Sequence, residues 1–133
     1  MTASATVEMG TELPPLVLPP ISRTTLALFA GASGDRNAIH IDIDAAHAAG
    51  LEDVFAHGML SMAYLGRLLT SWVPQSRLRS WSVRFTAITP VLAEPTCTGT
   101  VTAVDGRTAT VDLAVALPDG AVTLTGTAIV ELP

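Results

Sequence analysis

Residues 54–74 read VFAHGMLSMAYLGRLLTSWVP, and this stretch decides the fold. Its apolar residues recur too densely to lie on one face, which predicts a helix over about residues 56–73 that is buried on most sides. At about 1.5 Å per residue, this helix would be roughly 25 Å long. Arg67 lies in its middle and Pro74 closes it. A charge at the centre of a membrane span is costly, so we interpret the segment as a helix inside a folded protein.

The residues after Pro74 change to a strand pattern rich in Val, Thr, Ile and Ala. The predicted strands span residues 78–88, 96–104, 108–117 and 121–132. Asp105-Gly106 and Pro118-Asp119-Gly120 are turn signals, so the last three strands are predicted to form a meander of hairpins. Helices followed by an antiparallel sheet indicate an α+β fold, with the sheet wrapped around the long helix.

The residues before this helix predict smaller elements. Residues 1–20 contain four prolines and predict an irregular lead-in, with one short edge strand near residues 16–18. Residues 24–32 have helical spacing. Asp44 is predicted to cap a short helix over residues 45–49.

The composition indicates one folded domain over residues 1–133. Hydrophobic residues make up 49% of the chain and charged residues only 14%. Such a low charged fraction suggests that a partner covers part of the apolar surface, and a second copy of the chain is the simplest partner.

The charge balance and the cysteine content exclude several classes of protein. The net charge is −5 and no basic cluster occurs, so nucleic-acid binding has no electrostatic support. Residues 1–10 lack the features of a signal peptide, which predicts a cytoplasmic protein with no membrane anchor. Cys97 is the single cysteine, which rules out an internal disulfide, and no CxxC or Cys/His zinc spacing occurs.

A polar loop at residues 33–42, SGDRNAIHID, carries the first set of reactive side chains. Asp35 and His40 lie five residues apart in a loop that Gly34 allows to bend sharply. A carboxylate and an imidazole that meet at one substrate atom suit proton transfer near neutral pH. The residues alone leave another interpretation open, in which Asp35 forms a turn and His40 is a buried structural histidine.

A second motif, Ala56-His57-Gly58-Met59, stands where the long helix begins. The first N–H groups of a helix have no intrahelical partner, and the helix dipole favours negative charge there. The N–H of Gly58, with no side chain in the way, could bind a carbonyl oxygen that gains negative charge. The alternative is that Gly58 only permits close packing and His57 only caps the helix.

These motifs together resemble a known family. Residues 29–40, FAGASGDRNAIH, resemble the hydratase motif of MaoC-like and (R)-specific enoyl-CoA hydratases. Residues 56–60 resemble the second landmark of that family, and residues 83–86, VRFT, resemble a strand of its actinobacterial hydroxyacyl dehydratase branch. The resemblance covers roughly residues 20–130 and implies a single hot-dog fold.

The resemblance implies the following chemistry. Asp35 and His40 would be the catalytic pair, and the N–H of Gly58 would bind the thioester carbonyl. Ser33, Asn37 and His57 would support these groups, while Ala56 and Met59 would contact the substrate. No metal or cofactor is expected beyond the CoA or phosphopantetheine of an acyl-CoA or acyl-carrier-protein substrate. A homodimer paired through its sheets, a dimer of such dimers or a heterodimer is expected.

Two positions depart from the family pattern. Ala38 stands where a proline is common, which predicts a looser loop, and Gly66 stands where some members have serine, which predicts a wider acyl pocket.

Two alternative functions stay open. A hot-dog acyl-thioesterase would also use an acid and a helix N-terminus. The chain could also be one subunit of a heteromeric dehydratase, in which case its Asp35 and His40 indicate the catalytic subunit.

Overall fold

The computed structural model describes residues 6–133. The first five positions of the predicted lead-in lie outside the described residues. The strands are β1 (Leu16–Val17), β2 (Leu78–Phe85), β3 (Thr96–Asp105), β4 (Thr108–Ala116) and β5 (Val122–Glu131). The α-helices are α1 (Arg23–Ser33), α2 (Ile43–Ala48) and α3 (Gly58–Trp72), with short 3-10 turns at Ala38–His40 and Gln75–Arg77.

The five strands form one antiparallel sheet in the order β1-β3-β4-β5-β2. The predicted meander is present, since β4 pairs with both β3 and β5, for example through Val111 opposite Val101 and Ala128. β2 pairs along the far side of β5 and forms one edge of the sheet, with Val83 opposite Gly126. The predicted edge strand β1 pairs with β3 at the other edge.

The main core lies between α3 and the sheet. Alternate residues of β4, including Val111, Leu113 and Val115, are buried, whereas Asp112 between them is exposed. They pack in one cluster with buried leucines of α3, including Leu65. Each fully buried side chain of this size contributes roughly 1.5–3 kcal/mol to folding. The predicted α+β fold, with an antiparallel sheet wrapped around one long helix, is confirmed.

A second, smaller core joins α1 and α2 to the beginning of α3. Leu26 of α1 and Ala46 of α2 are buried against Val54, Ala56 and Leu60. This packing places the loop that joins α1 to α2 beside the first residues of α3. The two motifs of the sequence therefore meet at one end of the long helix.

An ion pair reinforces this arrangement. Arg23, the first residue of α1, donates two hydrogen bonds to the carboxylate of Asp53, at 2.8 and 2.5 Å. The bonds from Arg23 and from the N–H of Val54 lower the pKa of Asp53 to about 2. The pair therefore stays ionised across the pH range in which most proteins are handled, and it ties α1 to the segment that leads into α3.

Some predicted boundaries were wrong. Asp42, not Asp44, caps the short helix, because its carboxylate accepts the N–H of Asp44 at 2.9 Å and the helix starts at Ile43. The long helix begins at Gly58, and β2 ends at Phe85 instead of continuing to residue 88.

The long helix is also less buried than its composition predicts. Met59, Ala63, Arg67 and Thr70 form an exposed strip at helical spacing along α3. The sheet covers the opposite side, which carries the buried leucines. Within residues 6–133, no helix combines the length and the hydropathy that crossing a bilayer requires.

Candidate active site

The loop between α1 and α2 holds Asp35 in a defined turn. Gly34 ends α1 in the left-handed conformation, with φ 82°, which glycine adopts at little cost. Ser33 Oγ accepts a hydrogen bond from the N–H of Asp35 at 3.1 Å. The N–H of Asn37 donates to Asp35 Oδ1 at 3.3 Å, and the Asn37 side chain accepts the N–H of Ile39 at 3.2 Å. These bonds orient the carboxylate and leave its Oδ2 available.

His40 is anchored through one ring nitrogen. Its Nδ1 lies 2.7 Å from the carbonyl oxygen of Phe55, and the Phe55 ring meets the imidazole edge-on at 4.8 Å between centroids. A carbonyl oxygen only accepts, so Nδ1 of His40 carries the hydrogen. In the neutral ring, Nε2 then keeps its lone pair, and Nε2 faces the carboxylate of Asp35.

Asp35 and His40 lie at the boundary between solvent and core. Oδ2 of Asp35 and Nε2 of His40 are 3.9 Å apart, with the two side chains 52% and 8% exposed. This separation is too long for a direct hydrogen bond, but one water molecule at about 2.8 Å from each atom could bond to both. The structure therefore brings the two residues to a common point that is open to a small polar molecule.

His57 lies beneath this pair and is almost completely buried, at 1% exposure. Its ring stacks on His40 with centroids 3.9 Å apart, and Phe29 meets its edge at 4.9 Å. Its Nε2 lies 3.0 Å from the carbonyl oxygen of Asp35. Burial lowers the pKa of His57, the bond to the Asp35 carbonyl opposes this shift, and the charge of His40 adds to it.

Gly58 is the first residue of α3, where a backbone N–H has no intrahelical acceptor. It borders a cavity of about 360 Å³ whose walls include Phe55, Phe85 and Leu124. Phe85 lies so close that a Cβ on Gly58 would be 2.8 Å from a carbon of the Phe85 ring. Only glycine fits here without moving that ring.

The two other predicted substrate contacts, Ala56 and Met59, differ in their surroundings. Ala56 is buried and lines the cavity, and its N–H donates to the carbonyl of Thr89 at 2.8 Å. Met59 is 56% exposed and lies outside the cavity lining.

At Gly66, Trp81 occupies the space beside the backbone, since a Cβ there would lie 3.3 Å from the indole ring. The wider pocket expected at Gly66 is therefore filled by an aromatic side chain.

Three phenylalanines at the site have roles that the sequence analysis missed. Phe55 anchors His40, Phe29 packs on His57, and Phe85 covers Gly58. Each phenylalanine lies in or next to one of the stretches that resemble the family. Proximity to these motifs was therefore the signal that could have identified them from the sequence. The side chains alone gave no reason to prefer them over ordinary core residues.

Asp35, His40 and His57 also form a group with metal-binding potential, since each offers one ligand atom within 4.8 Å of the others. Both histidines already use one nitrogen on a backbone carbonyl. A metal would have to displace these bonds or use the remaining nitrogens. The expected absence of a metal stays a prediction.

Comparison with known proteins identifies the family. The sequence profile described as MaoC like domain matches residues 6–122, which is most of the chain. The chain belongs to the MaoC-like domain family. Among curated proteins, this MaoC-like chain is 30% identical over 136 residues to the fatty acid synthase subunit beta of Saccharomyces cerevisiae. The match covers 99% of the chain but spans only 7% of the length of that relative.

Solved structures show the same fold as this MaoC-like chain. The (R)-hydratase from A. caviae involved in PHA biosynthesis is 29% identical, with a TM-score of 0.87 over 96% of this chain and 98% of that one. The ChsH1-ChsH2 complex from Mycobacterium tuberculosis contains a chain that is 28% identical, with a TM-score of 0.85 over 97% of this chain and all of that one. The hot-dog fold expected from the sequence is confirmed.

Proposed function

We propose that this chain catalyses the reversible syn hydration of trans-2-enoyl thioesters to (R)-3-hydroxyacyl thioesters. The observation that carries the proposal is the 3.9 Å separation between Oδ2 of Asp35 and Nε2 of His40, two acceptors directed at one point beside a helix N-terminus. The similarity to an (R)-hydratase of 29% identity supports the reaction class and is the basis for the stereochemistry.

In this mechanism Asp35 and His40 hold one water molecule between them. As the water oxygen bonds to C3 of the enoyl group, one water proton passes to Nε2 of His40 or to the Asp35 carboxylate. A proton from the same pair is delivered to C2 on the same face, so the elements of water are added and the pair returns to its starting state. Dehydration follows the same steps in reverse. One positioned acid or base typically contributes about 10²–10⁴ to the rate.

Gly58 supplies the electrophilic part of the mechanism. Its N–H would donate to the thioester carbonyl, which gains enolate character as water adds at C3. The neighbouring cavity, bordered by Phe55, Phe85 and Leu124, has the apolar walls that an acyl chain or a pantetheine arm requires. The acyl group would be carried by CoA or an acyl carrier protein, so the chain would need no other cofactor.

We further propose that two copies of the chain pair through their sheets. In the described residues β2 lies at the sheet edge, and Phe85, Ile88 and Val122 near its end are exposed apolar side chains. Such an edge tends to pair with another strand. A mixed dimer is the alternative, since the Mycobacterium tuberculosis structure is a complex of two named proteins. Activity of the purified chain alone would favour the homodimer.

The test uses crotonyl-CoA and longer enoyl-CoAs with the Asp35→Asn and His40→Gln variants. Hydration should fall by about 10²–10⁴ in each. Asp44→Asn and His47→Gln are matched controls, because both residues are exposed on α2, and they should keep wild-type rates. Near wild-type rates in folded Asp35→Asn and His40→Gln would refute the proposal. Release of free thiol with no change at the double bond would assign the chain as a thioesterase instead.

A further inference from the structure

The two motifs of the site are joined by reciprocal hydrogen bonds. His40, from the first motif, bonds through Nδ1 to the carbonyl of Phe55, next to the second motif. His57, from the second motif, bonds through Nε2 to the carbonyl of Asp35 in the first. The two imidazole rings stack face to face between these bonds, with an interplanar angle of 27°.

The bond from His57 determines which of its nitrogens carries the hydrogen. The Asp35 carbonyl can only accept, so Nε2 of His57 is the donor. Nδ1 of His57 is buried and has no hydrogen-bond partner among the described residues. The groups that face this ring are His40, Asp35 and the apolar Phe29, and burial lowers the pKa of His57. Burial therefore favours the neutral form of the His57 ring.

We propose that His57 is a positioning residue that sets the geometry of the Asp35–His40 pair. One ring contacts both members, because it holds the backbone of Asp35 by a hydrogen bond and supports the plane of His40 by stacking. The carbonyl and the carboxylate of Asp35 belong to one residue, so a shift of the first displaces the second. This inference rests on the proposed function in one respect, namely that Asp35 and His40 are the catalytic pair.

A neutral ring is essential to this role. When His40 takes a proton from the substrate water, the charge forms 3.9 Å from the centre of the His57 ring. A second cation at that distance, in a partly dehydrated site, would oppose the transfer. The neutral His57 ring supports His40 without this repulsion.

Two substitutions separate the contacts of His57. His57→Phe keeps an aromatic ring beneath His40 and removes the donor to Asp35, whereas His57→Gln keeps an N–H donor at a similar reach and removes the ring. We expect kcat of His57→Phe to fall by about 10- to 100-fold, the range for misplaced catalytic groups. KM should stay within about twofold, because Gly58 and the cavity are unchanged. His57→Gln should recover part of the lost kcat.

The rates are corrected for the folded fraction of each variant, and the exposed His47→Gln is the control. A purely structural role would lower the melting temperature and the active fraction, with kcat per folded molecule unchanged. Wild-type kcat per folded molecule in both His57 variants would overturn the proposal.

A second measurement does not depend on any reaction. Nitrogen-15 NMR of the histidine rings should show the Nε2–H tautomer for His57 and the Nδ1–H tautomer for neutral His40. The pKa of His57 should lie below the ordinary histidine value of 6.5, because burial lowers it. A His57 ring whose pKa lies at or above 6.5, or that carries its hydrogen on Nδ1, would overturn the proposal. If the NMR result is as expected and the wild type hydrates no enoyl thioester, the proposed function fails while the geometric role of His57 stands.

Discussion

Gly58→Ala tests whether the start of α3 is part of the reacting site. The added Cβ would lie 2.8 and 2.9 Å from two carbons of the Phe85 ring. Carbon atoms in contact normally lie about 3.5–4.0 Å apart. The ring must therefore move by roughly 0.7 Å, either away from the helix or across the cavity that Gly58 borders.

The fold should tolerate this movement. Phe85 is 51% exposed, so its ring can shift at a cost of about 0.5–1.5 kcal/mol for an off-rotamer side chain. Alanine is the better helix former by up to about 1 kcal/mol, which offsets part of that cost. We expect the free energy of unfolding in urea to change by less than about 1 kcal/mol.

Activity should change much more than stability. The methyl group and the displaced ring would crowd the place where a thioester carbonyl must approach the Gly58 N–H. Loss of one such donor costs about 10²–10³ in rate, so we expect kcat/KM for crotonyl-CoA to fall by about 10². A variant within about threefold of wild type would refute the placement of the carbonyl at Gly58.

The double variant Gly58→Ala/Phe85→Leu identifies the cause of the loss. Leucine lacks the ring atoms that the new methyl group meets. Recovery of about tenfold over Gly58→Ala would assign the loss to the displaced Phe85 ring. No recovery would mean that the methyl group itself excludes the thioester. Phe85→Leu alone is the control for effects of the ring on the cavity.

Two further predictions concern the fold. Gly126→Ala should destabilise the protein by about 1–3 kcal/mol in urea, because its Cβ would lie 2.5 Å from the backbone oxygen of Ser82, which cannot swing away. Gly31→Ala in α1 has open space around it and should be neutral or stabilising, so equal losses in both variants would contradict this explanation. Cys97 is fully buried, and burial raises its pKa to about 12, so only about one thiol in 10⁴ is ionised at pH 8. Iodoacetamide should label it in urea and not in the native protein, and rapid native labelling would show that the strand opens.

The sequence was most informative where apolar residues recur with the period of a strand or helix, because this spacing indicates which side of the element is buried. Val111 and Leu113 alternate with Asp112 in the sequence, and the structure buries these two apolar residues and exposes Asp112. The cap of α2 was misassigned because Asp42 and Asp44 are both suitable carboxylates, and only the backbone conformation selects Asp42. The exposure of Met59 was missed because apolar composition does not show how much of a helix its own chain covers.

The geometry of the site was harder to predict from the sequence, for a physical reason. His40 is held by the carbonyl of Phe55, and His57 by the carbonyl of Asp35. Every residue has a backbone carbonyl, so the sequence does not mark which ones will serve as acceptors. The spacing of Asp35 and His40 allowed them to meet, but the partner that turns the His40 ring lies fifteen residues further along the chain.

The same carbonyls explain how the loop can be ordered without proline at residue 38. Proline would restrict the backbone locally, and its replacement by Ala38 predicted a looser loop. Here Asn37 caps the short 3-10 turn that begins at Ala38, and His40 at its end is fastened to Phe55. The bond from His57 to Asp35 holds the other side of the turn. Order in this loop therefore depends on the contact between the two motifs, so a change in either motif should disturb the position of the other.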